Sequence, residues 1–331
     1  MERLALLVEQ LDRAADEFSS KNPIDHRLAL ILIDNACELM IHQKCESLVL
    51  MDRPSWIGEP KYSKSDRQRA LGQDFDKKVS FLEKHSIIKS DEAEFLKAAH
   101  SLRNPVYHIG MVDDDICGPV SSVYYKLACN LIPRLDRGFR SLSAEPESLG
   151  RRFAKHLPEM DDDLWFLHFK DEELSDSLLR RVPQEGEQLG QILCKKLNDE
   201  LDELAHQIEF LVKDDPRKPS EEDAILDAQI SFEEMRLSEK LPFPHEPDYS
   251  SAYRQMRDDI SAMFKPKFEA IPFKSWRKSA ERISQEKSPF RALEKFSSLR
   301  REKADISEAI RQASFELDGW IQSEIDRFRG K

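Results

Sequence analysis

Residues 98–108 carry the side-chain types best suited to chemistry at a phosphate group. The segment reads AAHSLRNPVYH, in which Arg103 and Asn104 are adjacent and His108 follows five residues after Arg103. A guanidinium stays charged at every relevant pH and binds two phosphate oxygens at once. An imidazole titrates near neutral pH, so it can accept or donate a proton. These residue types suit the cleavage of a phosphodiester bond without a metal ion, although His108 supplies only one of the two proton-transfer groups per chain.

A second set of polar residues interrupts an otherwise apolar segment, LALILIDNACELMIHQ at 28–43. Asp34, Glu38 and His42 are four residues apart, so they share one face of a helix. Ionised side chains in an apolar element are costly unless they are paired. Two interpretations stay open. The two acids pair with an arginine of a neighbouring helix and only hold the helices together, or they orient Arg103 for chemistry. Tyr107, beside His108, is a further supporting candidate.

The elements that must position these residues are helices. Apolar residues recur three or four positions apart through most of the chain, whereas hairpin-type Asn-Gly and Asp-Gly turns between alternating apolar runs are absent. The sequence predicts an all-α protein. Residues 1–142 are predicted to form a bundle of five helices around a buried second helix that begins after Asn22-Pro23. A loop is predicted over 52–66, an interruption or kink at Pro105, and a fifth helix over about 119–141 with Pro119 near its start.

The rest of the chain is predicted to be helical but more polar. Residues 143–160 are predicted to be a linker, since they include the turn-forming stretch SAEPESLG. Residues 161–331 are predicted to form a second helical region with long amphipathic helices, the longest over 289–328. Its role does not follow from the residues.

Composition excludes several classes of protein. The five cysteines are scattered with no CxxC pair, which argues against a disulfide scaffold or a zinc ribbon. The chain has no GxGxxG or P-loop pattern, and no apolar run long enough to span a membrane. The N-terminal segment does not resemble a signal peptide. We expect a cytoplasmic protein that needs no cofactor and no metal ion.

Charge is unevenly distributed along the chain, whose net charge is −12. Residues 141–250 are strongly acidic and would repel nucleic acid, whereas 251–331 are basic. Within the basic part, Lys274, Trp276, Arg277 and Lys278 form a possible RNA contact, in which the lysines and arginine bind phosphate and the indole stacks on a base. The alternative is a solvated helix face with a buried Trp276.

The Arg103-Asn104-x3-His108 pattern resembles the RNxxxH motif of the HEPN superfamily, over residues 1–142. The apolar second helix with internal acids and the position of the motif before the last helix of the bundle add to the resemblance. Arg151 and His156 also match the bare spacing, but they lack the asparagine and the preceding apolar helix. The resemblance implies an all-helical ribonuclease domain of a toxin or antiviral defence system. It also implies a homodimer with its active site at the interface, and an antitoxin or defence protein as a possible partner.

Three functions are therefore compatible with the sequence. The first is a metal-independent endoribonuclease that cleaves RNA. Its catalytic residues would be Arg103, Asn104 and His108, and Asp34 and Glu38 would support them. The alternative is a non-catalytic dimerisation scaffold or protein-interaction module. The third is a nucleotide-binding regulator that uses Arg103 to hold a phosphate.

Overall fold

The computed structural model describes residues 2–20, 22–52, 59–109, 113–135, 150–156, 170–182, 189–238, 255–256, 259–260 and 264–329. These residues form helices and contain no strand, so the prediction of an all-α protein is confirmed. The twelve helices of the described residues are α1 (Glu2–Phe18), α2 (Pro23–Met51), α3 (Lys64–Leu71), α4 (Phe75–Lys84), α5 (Ser90–Ile109), α6 (Asp114–Leu135), α7 (Arg151–Ala154), α8 (Asp171–Leu179), α9 (Leu189–Asp214), α10 (Glu221–Ser238), α11 (Phe273–Ser284) and α12 (Pro289–Phe328). None of them combines the length and the apolar character that crossing a membrane would require.

The chain divides into two compact units. The first comprises Met1–Leu193 and Ile283–Lys295, and the second comprises Cys194–Arg282 and Phe296–Lys331. The proposed boundaries at residues 142 and 160 stay predictions. Much of the predicted linker, at 143–149 and 157–160, lies outside the described residues.

Helix α2 is the centre of the first unit. It packs against α1 on one side and α6 on another, and it also contacts α3, α4 and α5. Pro23 begins the helix, and the side chain of Asn22 accepts a hydrogen bond from the Ile24 amide to cap it. The helix buries apolar residues on several sides, as its composition predicts, including Leu30, Ile33 and Ile41.

Three details of the first unit differ from the sequence-based prediction. Part of the predicted loop over 52–66 is helix α3, whose first turn is capped by Ser63 through a hydrogen bond from the Asp66 amide. Helix α5 is not interrupted at Pro105 but continues to Ile109. Helix α6 begins at Asp114, so Pro119 lies inside the helix and two aspartates occupy its first turn, where the helix dipole favours negative charge.

A buried carboxylate on α1 attaches the next part of the chain to the first unit. Asp12 is fully buried, and its oxygens accept hydrogen bonds from Arg152 Nη1 at 2.7 Å, from Arg181 Nη1 and from His156 Nε2 at 3.0 Å. The His156 ring is itself buried and contacts the Ser177 hydroxyl. The second Arg-x4-His match in the sequence therefore holds α7 and α8 against α1.

The second unit is also built on helices joined by polar contacts. Trp276 on α11 is buried, and its indole Nε1 donates to Glu302 on α12 at 2.9 Å. Glu200 on α9 pairs with Arg300 and with Lys303, whose Nζ lies 2.7 Å from Glu200 Oε2. Beyond residue 310, α12 carries exposed apolar side chains, among them Phe315, Trp320 and Phe328.

Replacement of Asp12 by alanine tests the attachment of α7 and α8. We expect Asp12→Ala to lower the free energy of unfolding by about 1–3 kcal/mol, because it leaves the buried His156 Nε2 without its partner and removes one of the two carboxylates that Arg152 and Arg181 bind. Arg13→Ala is the control, since Arg13 neighbours Asp12 but its side chain is 60% exposed, and it should cost less than about 0.5 kcal/mol. Urea unfolding followed by circular dichroism measures both. Equal unfolding midpoints would contradict the proposed role of Asp12.

Candidate functional site

A single buried carboxylate joins three helices of the first unit. Asp34 on α2 has no exposed surface. One of its oxygens accepts a hydrogen bond from the Tyr124 hydroxyl of α6 at 2.9 Å. The other lies 3.0 Å from His100 Nδ1 and 3.1 Å from Arg103 Nε, both on α5. Three partners on two helices therefore compensate the burial of this charge.

The guanidinium of Arg103 is held by further groups of α2. Its Nη2 donates to Asn35 Oδ1 at 3.0 Å and lies 3.5 Å from Glu38 Oε2. Its Nη1 donates to Asn104 Oδ1 at 3.2 Å. The structure thus brings together Arg103, Asn104, Asp34 and Glu38, four of the residues that the sequence singles out. The acids of α2 face Arg103, which both interpretations of these acids require.

His100 belongs to the same cluster and is absent from the candidates that the sequence suggests. Its ring stacks on Phe75 of α4 with the ring centroids 4.3 Å apart. Its Nδ1 contacts Asp34 and lies 3.6 Å from Glu38 Oε1, while the side chain is 17% exposed. Nε2 forms no hydrogen bond or ion pair with a described residue. The signal in the sequence is its position one helical turn before Arg103, on the same face of α5.

The charges around Asp34 set the protonation of its neighbours. Burial lowers the pKa of His100. The hydrogen bond to Asp34 and the negative charges of Asp34 and Glu38 raise this pKa by a larger amount, so it lies above the usual histidine value. Burial raises the pKa of Tyr124 well above its usual value, and the adjacent Asp34 raises it again. Tyr124 therefore stays a neutral hydrogen-bond donor to Asp34.

His108 and Tyr107 lie on the last turns of α5, which extends to Ile109. The side chains of residues 105–109 are outside the described part of the structure, so the predicted roles of His108 and Tyr107 stay predictions. The helical backbone places the Cα atoms of Arg103 and His108 about 7.5 Å apart along the helix axis, from a rise of about 1.5 Å per residue.

Among the described residues, one group of side chains has the donor types and spacing of a metal site. Oxygen atoms of Asp34 and Glu38 and a ring nitrogen of His100 lie within 4.8 Å of one another. The guanidinium of Arg103 contacts the same two carboxylates. Its positive charge opposes a divalent cation at this position.

The structure does not support a base-stacking role for the basic segment of α11. Trp276 is 1% exposed and its indole is hydrogen-bonded inside the second unit, so its ring faces cannot stack on a nucleotide. Arg277 is engaged with Asp202 at 2.6 Å. Lys274 and Lys278 are exposed. The alternative of a solvated helix face with a buried tryptophan fits these positions.

Comparisons with known proteins leave the site to be interpreted on its own geometry. No protein-family model, curated protein or solved structure matches this chain.

Titration of His100 tests the electrostatics of the cluster. We expect an NMR titration of the folded protein to give a pKa for His100 above the ordinary value of 6.5. Glu38→Gln should lower that pKa, because it removes one of the two carboxylates beside the ring. Glu94→Gln is the matched control, since the side chain of Glu94 is 37% exposed and that of Glu38 is 38% exposed, but Glu94 pairs with Lys97 on α5. An unchanged pKa in Glu38→Gln would contradict this account.

The same shift predicts how stability depends on pH. A histidine with a raised pKa in the folded state contributes its full stabilisation below the unfolded pKa, and this contribution is lost as the pH rises through the folded pKa. As the pH rises above the ordinary histidine pKa of 6.5, the free energy of unfolding should therefore fall by a larger amount in the wild type than in His100→Asn. Urea unfolding at several pH values measures the difference, and parallel pH profiles would contradict it.

Proposed function

We propose that this protein is a metal-independent endoribonuclease whose first unit cleaves RNA. The observation that supports the proposal most is the position of Arg103. Three side chains of α2 and the neighbouring Asn104 hold its guanidinium on the helix that also carries His108. Arg103, Asn104 and His108 together form the Arg-Asn-x3-His pattern that resembles the HEPN motif.

The chemistry needs few groups. The 2′-hydroxyl of a ribose attacks the adjacent phosphorus, and the phosphorus-oxygen bond to the next nucleotide breaks. His108 serves as a proton-transfer group near neutral pH. Arg103 stabilises the extra negative charge of the phosphorane-like transition state through two N–H groups. Asn104 donates a hydrogen bond to a phosphate oxygen or orients His108. Asp34 and Glu38 hold Arg103 in place, and Tyr107 lies next to His108.

The biological setting belongs to the same proposal. By its resemblance to HEPN ribonucleases, we propose an RNA-cleaving toxin or antiviral effector that acts in the cytoplasm as a homodimer. Its site would lie at the dimer interface, where two copies of Arg103 and His108 meet. An antitoxin or another defence-system protein would regulate it. The second unit has no assigned role in this proposal.

Cleavage in the presence of EDTA tests the proposed reaction. Wild-type protein should cleave cellular RNA and tRNA in EDTA, and His108→Ala should lower the rate at least 100-fold, because general acid–base catalysis contributes about 10²–10⁴-fold. His42→Ala is the control, since His42 is a partly exposed histidine of α2 that pairs with Glu46. Light scattering on the same samples gives the oligomeric state. Equal rates for His108→Ala and the wild type would refute the assignment.

The alternative function is a non-catalytic scaffold, and one observation favours it. The guanidinium of Arg103 already contacts two carboxylates and two amide oxygens, which a purely structural cation would also do. The exposed apolar side chains of α12 would then serve a protein partner. In this case wild-type protein cleaves no RNA with or without divalent metal ions.

Replacement of Arg103 by lysine separates the two functions. Lysine keeps the positive charge beside Asp34 but lacks the planar pair of N–H groups that would bind two phosphate oxygens. For the ribonuclease we expect Arg103→Lys to lose at least about 100-fold in cleavage rate, on the scale of one lost transition-state donor, with a smaller effect on the unfolding midpoint than Arg103→Ala. Full cleavage by Arg103→Lys would show that Arg103 contributes only its charge.

A further inference from the structure

Cleavage by 2′-hydroxyl attack requires two proton transfers. A base removes the proton of the 2′-hydroxyl, and an acid protonates the oxygen that leaves. The Arg103-Asn104-x3-His108 pattern supplies one histidine per chain, so in the proposed homodimer the second transfer falls either to His108 of the other copy or to another group of the same chain. The cluster around Asp34 adds a second histidine, His100, on the same helix.

The geometry of His100 is that of an oriented proton-transfer group. Asp34, which is fully buried, binds Nδ1 at 3.0 Å, and the ring stacks on Phe75. These two contacts fix both the tautomer and the plane of the ring. The side chain is 17% exposed, and Nε2, which forms no hydrogen bond or ion pair with a described residue, is available to a substrate. A carboxylate that binds one nitrogen of an imidazole while the other nitrogen meets the substrate is a recurrent arrangement in catalytic sites.

Arg103 lies between the two histidines along α5. His100 and His108 are eight residues apart, which corresponds to about 12 Å along the axis and about 80° around it in a regular helix. Arg103 and Asn104 occupy the turn between them. A phosphate bound at Arg103 would therefore have a histidine position on either side of it along the helix.

We propose, on the basis of the proposed ribonuclease function, that His100 is the acid that protonates the leaving 5′-oxygen. His108 takes the proton of the 2′-hydroxyl as the bond from the 2′-oxygen to phosphorus forms. The bond from phosphorus to the 5′-oxygen breaks, and the proton on Nε2 of His100 passes to that oxygen. The products are a 2′,3′-cyclic phosphate and a free 5′-hydroxyl. His108 ends protonated and His100 neutral, and both return to their starting states by exchange with water.

The charged groups that face His100 support the role of an acid. Asp34 and Glu38 approach it from α2, and Arg103 approaches it from its own helix. Tyr124 of α6 reaches Asp34 as a neutral donor, and Phe75 of α4 carries no charge. The two carboxylates outweigh the single guanidinium, so the imidazolium form of His100 is favoured, and its pKa is raised.

The variant His100→Asn separates the proposed proton transfer by His100 from its structural contact with Asp34. The asparagine amide can still donate a hydrogen bond to Asp34, but it has no group at the position of Nε2. We would compare two oligonucleotides of one sequence in EDTA. One has the natural 5′-oxygen at the cleaved linkage, and the other has a 5′-bridging sulfur there, which leaves as a thiolate without needing a proton. His42→Asn is the matched control on α2.

We expect His100→Asn to lose at least 100-fold in the cleavage of the natural linkage and less than 10-fold on the sulfur-containing linkage. His108→Ala should lose activity on both, because the base is needed in either case. Efficient cleavage of the thiolate substrate also shows that His100→Asn is folded. His42→Asn should match the wild type on both substrates.

Two outcomes would overturn the inference. Wild-type rates for His100→Asn on the natural linkage would show that another group is the acid. Equal losses on both substrates would show that His100 only holds Asp34 and Arg103 in position. In both cases the wild type still cleaves RNA, so the proposed function stands. A wild type that cleaves neither substrate refutes the proposed function itself, and the role of His100 with it.

Discussion

The burial of one carboxylate governs the arrangement of the first unit. An ionised aspartate without solvent contact is costly, and the cost falls only where positive or hydrogen-donating groups surround it. Asp34 meets this requirement with His100 and Arg103 from α5 and Tyr124 from α6. The packing of α5 and α6 on α2 must therefore place these three partners at one point, and the candidate site is the result.

The charge balance of the cluster depends on the protonation of His100. Asp34 and Glu38 carry two negative charges, and Arg103 carries one positive charge. A protonated His100 makes the cluster neutral, while a neutral His100 leaves it with one excess negative charge that would repel a phosphate. In the proposed function, proton transfer at His100 and anion binding at Arg103 would thereby be coupled.

Asp12 is a second buried carboxylate surrounded by arginine and histidine side chains, and its contacts only hold the fold together. Asp12 is equally buried and is surrounded by Arg152, Arg181 and His156. Burial lowers the pKa of His156, although its contact with Asp12 works in the opposite direction. Both nitrogens of His156 have protein partners, so nothing is left for a substrate. At His100, by contrast, only Nδ1 has a partner among the described residues, and this difference distinguishes a candidate proton donor from a structural histidine.

The sequence by itself determined the helical class, the central place of α2 and the pairing of its acids with an arginine. These properties follow from local periodicity and from the cost of placing Asp34 and Glu38 in an apolar helix. It did not show that His100 joins them, nor that α5 continues past Pro105. Only the tertiary structure decided these points, because hydrogen bonds between residues 66 positions apart depend on how α2, α5 and α6 pack. Trp276 illustrates the same limit, since its neighbours in sequence are basic whereas its neighbours in space make it part of the core.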